Sequence, residues 1–180
     1  MGNILYTECI DLSYKKLKKL PDLTKYTNLK ILKCSNNKLI ELSNLPNTLI
    51  ELYCNNNQLT ELTNLPNTLI ELYCNNNQLS ELHNLPNALR ILGCGNNQLT
   101  ELNNLPNTLL KLECNNNKLT ELTNLPNTLN VLDCGNNQLI TLNNLPKSLR
   151  GLTCHNNFVS KLLWHINSYI VFGKLFNVIN

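Results

Sequence analysis

Cysteine recurs along this chain at a fixed interval of 20 residues, and this period restricts the possible folds more than any other feature. The regularly spaced cysteines are Cys34, Cys54, Cys74, Cys94, Cys114, Cys134 and Cys154, and only Cys9 lies outside the series. Alignment on them divides residues 29–168 into seven units, of which the third reads LIELYCNNNQLSELHNLPNA. Such a period predicts a solenoid, in which each unit forms one coil and packs against its neighbours.

Each unit combines a strand pattern with a longer return segment. Apolar residues alternate around positions 4 to 6 of the unit, which predicts a short strand with one buried face. The remainder is rich in Asn, contains a Leu-Pro pair and leaves little room for a helix, so we expect an extended or polyproline-like return. Consecutive strands then stack in parallel, about 4.8 Å apart.

The unit pattern L-x-x-L-x-C-x-x-N-x-L resembles the leucine-rich repeat family. The 20-residue length and the Leu-Pro pair look like the repeats of bacterial secreted effectors, and giant DNA viruses of amoebae encode similar Asn- and Leu-rich repeats. The resemblance implies an α/β-type horseshoe. This is a right-handed solenoid with a parallel β-sheet on its concave face and a mostly extended, polyproline-like convex side.

We expect three parts in the chain. Residues 1–28 form a degenerate first unit and N-terminal cap, 29–168 form seven repeats of which the last is degenerate, and 169–180 form a C-terminal cap segment. The lysines of the first unit form a solvated cap surface or, alternatively, a weak basic docking patch. The apolar residues of 161–180 are expected to fold over the last coil, with a protein-docking or membrane-touching segment as the alternative.

Asparagine and cysteine both receive structural explanations from the repeat. Position 9 is Asn in every unit, and its amide can satisfy backbone groups where the chain leaves the strand, which predicts an asparagine ladder. Cysteine at position 6 faces inward and acts as a small hydrophobe, in a geometry that suits a disulfide poorly. A row of free thiols is typical of a reducing compartment. We therefore expect a cytoplasmic protein, in the host cytoplasm if it is viral or an effector.

Several classes of function are disfavoured. The net charge of +3 is too small to indicate nucleic-acid binding, and no apolar run is long enough to cross a membrane. No C-x-x-C or H-x-x-x-H pair indicates a metal site. No acid, base and nucleophile recur together, so we expect no catalytic residue, no cofactor and no enzyme. The residues after 168 are too few for the ubiquitin-ligase domain that such bacterial effectors sometimes carry.

The outward strand positions vary while the framework does not, as expected for a binding surface on a rigid scaffold. In the resembling family these positions line the concave face and usually contact ligands. The predicted partner-binding residues are Ile31, Lys33, Glu51, Tyr53, Glu71, Tyr73, Ile91, Lys111, Glu113, Val131 and Asp133. We expect Tyr53 and Tyr73 to stack one coil apart, as a plausible binding hot spot. Recent duplication of nearly identical units is the alternative explanation for this pair.

Glycines at 93, 95 and 135 open gaps in the same strip. They either admit a bulky side chain of a partner or reflect sequence drift.

The leading functional hypothesis is a non-enzymatic scaffold that binds a partner protein through its concave face, as a monomer or weak homo-oligomer. The alternative is a structural protein that self-associates through its ends or its apolar C-terminal tail. Nucleic-acid binding would need a basic concave strip, whereas the predicted residues mix both charges.

Overall fold

The computed structural model describes residues 7–158, which form one parallel sheet of eight strands. The strands are β1 (Cys9–Asp11), β2 (Ile31–Lys33), β3 (Glu51–Tyr53), β4 (Glu71–Tyr73), β5 (Ile91–Gly93), β6 (Lys111–Glu113), β7 (Val131–Asp133) and β8 (Gly151–Thr153). Each strand pairs in register with the next one along the chain. The predicted parallel solenoid is confirmed, while the predicted C-terminal cap lies outside the described residues.

A continuous row of leucines forms the core behind the sheet. The central residue of each strand faces inward, and in β2 to β7 it is a leucine with no exposed surface. Leucines of the return segments, such as Leu79 and Leu82, pack against this row. Between the strands of residues 7–158 the chain makes turns and bends without forming a helix, so nothing there is a helix able to cross a membrane.

The asparagine at position 9 joins each coil to the one before it. In the coil that contains β5, the side-chain oxygen of Asn97 accepts a hydrogen bond from the Leu79 backbone N–H at 3.0 Å. Its Nδ2 donates to the carbonyl oxygens of Cys74 and Cys94 at 3.1 and 3.0 Å. The same arrangement recurs through the stack, so the predicted asparagine ladder is confirmed.

A second set of asparagines adopts the left-handed backbone conformation. Their φ angles lie between 52° and 59°, and they occupy positions 8 and 16 of the coil. The set comprises Asn36, Asn44, Asn56, Asn64, Asn76, Asn84, Asn96, Asn104, Asn116, Asn124, Asn136, Asn144 and Asn156. Asn is among the few residues other than Gly that adopt this conformation at low cost. The sharp turns at both ends of the return segment therefore depend on asparagine.

The regularly spaced cysteines form a buried row of free thiols. Those from Cys34 to Cys134 have no exposed surface, whereas Cys154 is half-buried and Cys9 is exposed. Burial raises the pKa of the Cys34 and Cys74 thiols to about 12. These thiols stay protonated at neutral pH and fill the core as small apolar groups.

A row of hydroxyl groups also links the coils, at position 20 of the repeat. The Thr48 and Thr108 hydroxyls donate to the carbonyl oxygens of Leu29 and Leu89, the first residues of their own 20-residue units, at 2.7 and 2.8 Å. Ala88 interrupts this row because it has no hydroxyl. The sequence pattern alone did not indicate these hydrogen bonds, since Thr also occurs at exposed positions, such as 60 and 100, that form no such bond.

The degenerate first coil completes the N-terminal end of the described solenoid. Ile10, Leu12 and Leu17 are partly buried and pack against the core. The backbone N–H groups of Lys15 and Leu17 both donate to the Asn37 side-chain oxygen at 3.0 Å. The ladder therefore holds this coil in place although the coil lacks a ladder asparagine of its own.

Candidate protein-binding face

The predicted binding residues all lie on the face of the sheet that is opposite the leucine core. Each is the first or third residue of its strand, so its side chain points away from the buried central residue. Most are half-buried, while Lys33 is exposed and Val131 is 38 % exposed. The set extends from β2 to β7, which is roughly 24 Å at 4.8 Å per strand spacing. Only residues on neighbouring strands can therefore contact one small group together.

Two tyrosines form the most distinctive feature of this face. Tyr53 in β3 and Tyr73 in β4 are in register, and their rings stack with centroids 4.9 Å apart and planes 9° from parallel. The predicted stacking is confirmed. Both rings are half-buried, so the stack presents aromatic surface to solvent in a fixed orientation.

The chain itself orients the first ring of the stack. The Tyr53 hydroxyl donates to Oε2 of Glu51 at 3.0 Å. Burial and this hydrogen bond raise the pKa of Tyr53, so the phenol keeps its proton and remains a donor at neutral pH. On the side away from Tyr73, Nζ of Lys33 lies 5.8 Å from the ring centroid, within the range of a cation–π contact.

Two carboxylates lie beside the tyrosines. Glu51 and Glu71 are in register on adjacent strands, where like charges repel each other. Within residues 7–158 neither glutamate forms a salt bridge. The Tyr–Glu patch, defined as Glu51, Tyr53, Glu71 and Tyr73, therefore combines exposed aromatic surface with negative charge that the described chain does not neutralise.

The charged residues beyond β5 have partners within the chain. Nζ of Lys111 lies 2.7 Å from Oε1 of Glu113, and this hydrogen bond raises the pKa of Lys111. Asp133 accepts a hydrogen bond from the Gly135 backbone N–H at 3.2 Å. These side chains are thus held by local contacts, and Lys111 and Glu113 form a salt bridge, which Glu51 and Glu71 do not.

Side chains of adjacent coils cover the glycines at position 7. A Cβ built on Gly95 would lie 2.5 Å from Oδ1 of Asn115, and one on Gly135 would lie 2.7 Å from Cε1 of His155. The space at these two glycines is therefore used within the protein and does not form an open gap for a partner.

Gly93 differs because it follows the tyrosine stack at position 5. A Cβ there would lie 3.0 Å from Cδ1 of Tyr73 and 2.9 Å from Nδ2 of Asn75. A side chain at residue 93 would therefore require the Tyr73 ring or the Asn75 amide to shift. The spacing of the glycines in the sequence did not distinguish this position from the other two.

The charges are segregated along the chain. Residues 1–38 contain eight Lys or Arg and three Asp or Glu, whereas residues 39–140 contain three Lys or Arg and nine Asp or Glu. The net charge of +3 therefore conceals a basic beginning and an acidic middle. The Tyr–Glu patch lies in the acidic middle.

Chemistry-bearing side chains are scattered in the described part of the chain. Residues 7–158 contain no group of three or more His, Cys, Asp or Glu side chains arranged to hold a metal ion. His83 contacts Glu81 at 2.9 Å on an exposed surface, and His155 covers Gly135. His155 also lies 3.3 Å from Nδ2 of Asn136 in the preceding coil.

Comparison with solved structures identifies the fold. YopM from Yersinia enterocolitica WA-314 matches with a TM-score of 0.80 and 39 % identity, covering 83 % of this chain and 33 % of that one. The LRR domain of a Shigella effector matches with a TM-score of 0.78 and 28 % identity, covering 92 % and 78 %. The chain is a leucine-rich repeat protein. No family model and no curated protein matches the chain.

The leucine-rich repeat chain spans about a third of the length of the YopM chain that it matches. A third similar structure is the functional domain of InlJ from Listeria monocytogenes, described as including a cysteine ladder. It has a TM-score of 0.63 and 29 % identity, and the match covers 83 % of this chain and 39 % of that one. In the present leucine-rich repeat protein, the buried thiol row contains one cysteine per coil.

Proposed function

We propose that this leucine-rich repeat protein is a non-enzymatic scaffold that binds a partner protein through the concave face of its sheet. The observation that carries the proposal is the stacked tyrosine pair, half-buried at the surface of an otherwise uniform framework. Tyr is enriched among the residues that contribute most to binding at protein interfaces. Its ring also loses little conformational entropy on binding when the stack already holds it in place.

The division between framework and face supports the same function. Framework positions repeat the same residues because each has a structural contact: leucines fill the core and asparagines bond to neighbouring coils. Positions 3 and 5 of the repeat unit, which are the first and third residues of each strand, make no comparable repeated contact, and their residues differ in size and charge. A rigid support with variable outward side chains is suited to recognition of another surface. The row of free thiols favours a reducing compartment such as the cytoplasm.

Alanine substitution of the stack tests the proposal. The double variant Tyr53→Ala/Tyr73→Ala should lower capture of a partner from cytosol of the source organism by at least about tenfold, as expected for hot-spot residues. Loss of the stack should cost only about 0.5–1.5 kcal/mol of stability, because both rings remain partly in water. Ile40→Ala is the matched control, since Ile40 is 55 % exposed and lies outside the strands. Undiminished capture by the double variant would contradict the proposal.

Self-association through the ends is the second candidate. It is favoured by the first coil, where Ile10, Leu12 and Leu17 are only partly buried and Tyr14 is 76 % exposed. Light scattering over a hundredfold range of concentration separates the two functions. A constant monomeric mass supports the docking scaffold, and a mass that grows with concentration supports assembly.

A further inference from the structure

The first coil carries a cluster of positive charge. Residues 12–19 contain four lysines and no acidic residue, and the side chains of all four are exposed: Lys15, Lys16, Lys18 and Lys19. Within residues 7–158 none of the four forms a salt bridge. The Asp11 carboxylate accepts a hydrogen bond from the Ser13 backbone N–H at 2.8 Å, which lowers its pKa, and it also attracts Lys15. One carboxylate leaves most of the positive charge of the cluster uncompensated.

The sign of the charge is reversed relative to the coils that follow. In five consecutive coils an exposed glutamate directly precedes the leucine at position 14 of the unit, namely Glu41, Glu61, Glu81, Glu101 and Glu121. The first coil has Lys19 before its equivalent leucine, Leu20. An anionic surface would therefore attract the first coil and repel its successors, which favours an end-on approach of the solenoid.

An exposed aromatic ring lies beside the lysines in the sequence. Tyr14 is 76 % exposed, and its φ of 60° places it in the left-handed region. The next coil has an asparagine at the equivalent position, Asn36, with a φ of 59°. Tyrosine adopts this conformation at a higher cost than asparagine, and its ring is not needed to fill the core. Residues held in sparsely populated conformations occur preferentially at functional sites.

Apolar side chains are also less covered in the first coil than in the second. Strand β1 forms one edge of the sheet in the described chain. Ile10 and Leu12 are partly buried, whereas Leu32 and Cys34, at the equivalent positions of the next coil, have no exposed surface. The first coil thus combines positive charge with an exposed aromatic ring and partly exposed aliphatic groups.

We propose that the basic end, defined as Tyr14, Lys15, Lys16, Lys18 and Lys19, binds the anionic surface of a lipid bilayer. Clusters of four or more lysines are attracted to acidic headgroups. Tyrosine suits the boundary between headgroups and acyl chains, because it has an apolar ring and a polar hydroxyl. The glutamate row of a second copy offers matching charge, but exposed Thr and Ser residues flank it and would not cover the ring. The inference goes beyond the proposed function, since it concerns the end of the solenoid.

Sedimentation with vesicles tests the inference on the intact chain. The wild type is centrifuged with phosphatidylcholine vesicles and with vesicles that also contain about 30 % phosphatidylserine. Each lysine near an anionic surface contributes about fivefold in affinity, so the four should raise binding to the anionic vesicles about a hundredfold or more. An increase in salt from about 0.1 M to about 0.5 M should remove most of this preference, because salt screens the charges.

Neutralisation of two lysines should weaken the interaction. Lys18→Gln/Lys19→Gln keeps side chains of similar length at two exposed positions, so the variant is expected to fold. It should lower affinity for the anionic vesicles by about twentyfold. The matched control Lys118→Gln/Lys147→Gln removes the same amount of charge from exposed positions of later coils. It should change affinity by less than about twofold, since these positions lie far from the basic end.

The substitution Tyr14→Asn tests the aromatic ring separately from the charge. Asparagine suits the left-handed backbone at this position, so the free energy of unfolding should not decrease. Loss of the ring should weaken binding to the anionic vesicles by about threefold or more, because less apolar surface is buried in the bilayer. Unchanged binding would overturn the placement of Tyr14 at the lipid boundary.

Three results would overturn the inference as a whole. They are equal binding to neutral and anionic vesicles, absence of binding to both, and binding by Lys18→Gln/Lys19→Gln at the level of the wild type. Sedimentation without vesicles that depends on the same lysines would also overturn it, because the partner would then be a second copy. Tyr53→Ala/Tyr73→Ala should bind vesicles like the wild type and lose only the capture of a partner protein. Each of the two proposals can therefore fail without the other.

Discussion

Asparagine carries two different structural functions in each coil, and both depend on its short amide side chain. At position 9 the amide bonds to backbone groups of two coils, which needs one donor and one acceptor on the same side chain. At positions 8 and 16 the residue is in the left-handed region, with φ near 54° at Asn96 and Asn104. Most other side chains pay about 1–2 kcal/mol to adopt this conformation. The 36 asparagines of the chain are therefore concentrated where the backbone needs them.

The left-handed turns can be tested at adjacent exposed asparagines. Asn104→Val should lower the free energy of unfolding by about 1–2 kcal/mol, because a β-branched residue is strained at positive φ. Asn103→Val is the matched control, since Asn103 is also exposed and has no positive φ. It should change stability by less than about 0.5 kcal/mol. Equal effects of the two substitutions in urea unfolding would show that the backbone conformation at 104 does not matter.

At the scale of the element, each coil is joined to its neighbours by parallel rows of equivalent side chains. The strand ladder, the asparagine ladder and the thiol row repeat from coil to coil, and the hydroxyl row does so with a gap at Ala88. Of these rows, the thiol row is the easiest to test by experiment, because thiols can be labelled with specific reagents. Its cysteines are buried and their pKa values are raised by that burial, so both access and thiolate formation limit their reaction.

Thiol labelling at pH 8 should separate the cysteines by location. Cys9 is exposed and should react in a fast phase, which Cys9→Ser should abolish. With a pKa raised to about 12, as for Cys34 and Cys74, only about one thiol in ten thousand is ionised at that pH. The fully buried thiols should therefore react only when the coils open. Rapid labelling of more than two thiols in the native protein would rule out the buried row.

The gap in the hydroxyl row gives a stabilising substitution. Ala88→Thr should place a hydroxyl within reach of the Leu69 carbonyl oxygen, as Thr108 reaches Leu89 at 2.8 Å in the next coil. We expect a gain of about 0.5–1.5 kcal/mol in the free energy of unfolding, measured by urea denaturation. Ala88→Val has nearly the same shape without the hydroxyl. If Ala88→Val stabilises the protein equally, the hydrogen bond is not the cause.

The repeat made the elements predictable, while contacts between particular neighbours were harder to foresee. The repeat spacing alone predicts the strand positions, the inward cysteines and the ladder asparagines. Each of them recurs from repeat to repeat, and its residue type suits only one location in the coil. The covering of Gly135 by His155 depends on a side-chain orientation in the adjacent coil, which no period encodes. The same holds for the approach of the Tyr73 ring and the Asn75 amide to Gly93. Stacking of Tyr53 on Tyr73 was predictable because both share one repeat position.

At the scale of the whole molecule, stability and recognition depend on different residues. Coils of this size gain much of their stability from interfaces with the neighbouring coils, so damage to the framework in one coil destabilises the stack. Loss of an outward side chain leaves the leucine core and the asparagine hydrogen bonds between coils in place. The acidic middle of the chain adds a long-range attraction for a basic partner, and this attraction is weakened by salt.

Asn137 is the appropriate framework position for comparison with the tyrosine pair. Its amide bonds to Leu119, Cys114 and Cys134 at 3.0–3.1 Å, three strands away from Tyr73. Asn137→Leu leaves these buried backbone groups without partners and should cost about 1–3 kcal/mol of stability.

The most direct measurement compares capture of a partner from cytosol of the source organism by the wild type, Asn137→Leu and Tyr53→Ala/Tyr73→Ala, with the stability of each determined in the same buffer. The account predicts that Asn137→Leu loses stability yet binds within about twofold of the wild type, because the face is unchanged. The tyrosine variant should lose about tenfold or more in capture for an equal or smaller loss of stability. Capture that falls in proportion to stability in both variants would contradict the separation of framework and binding face.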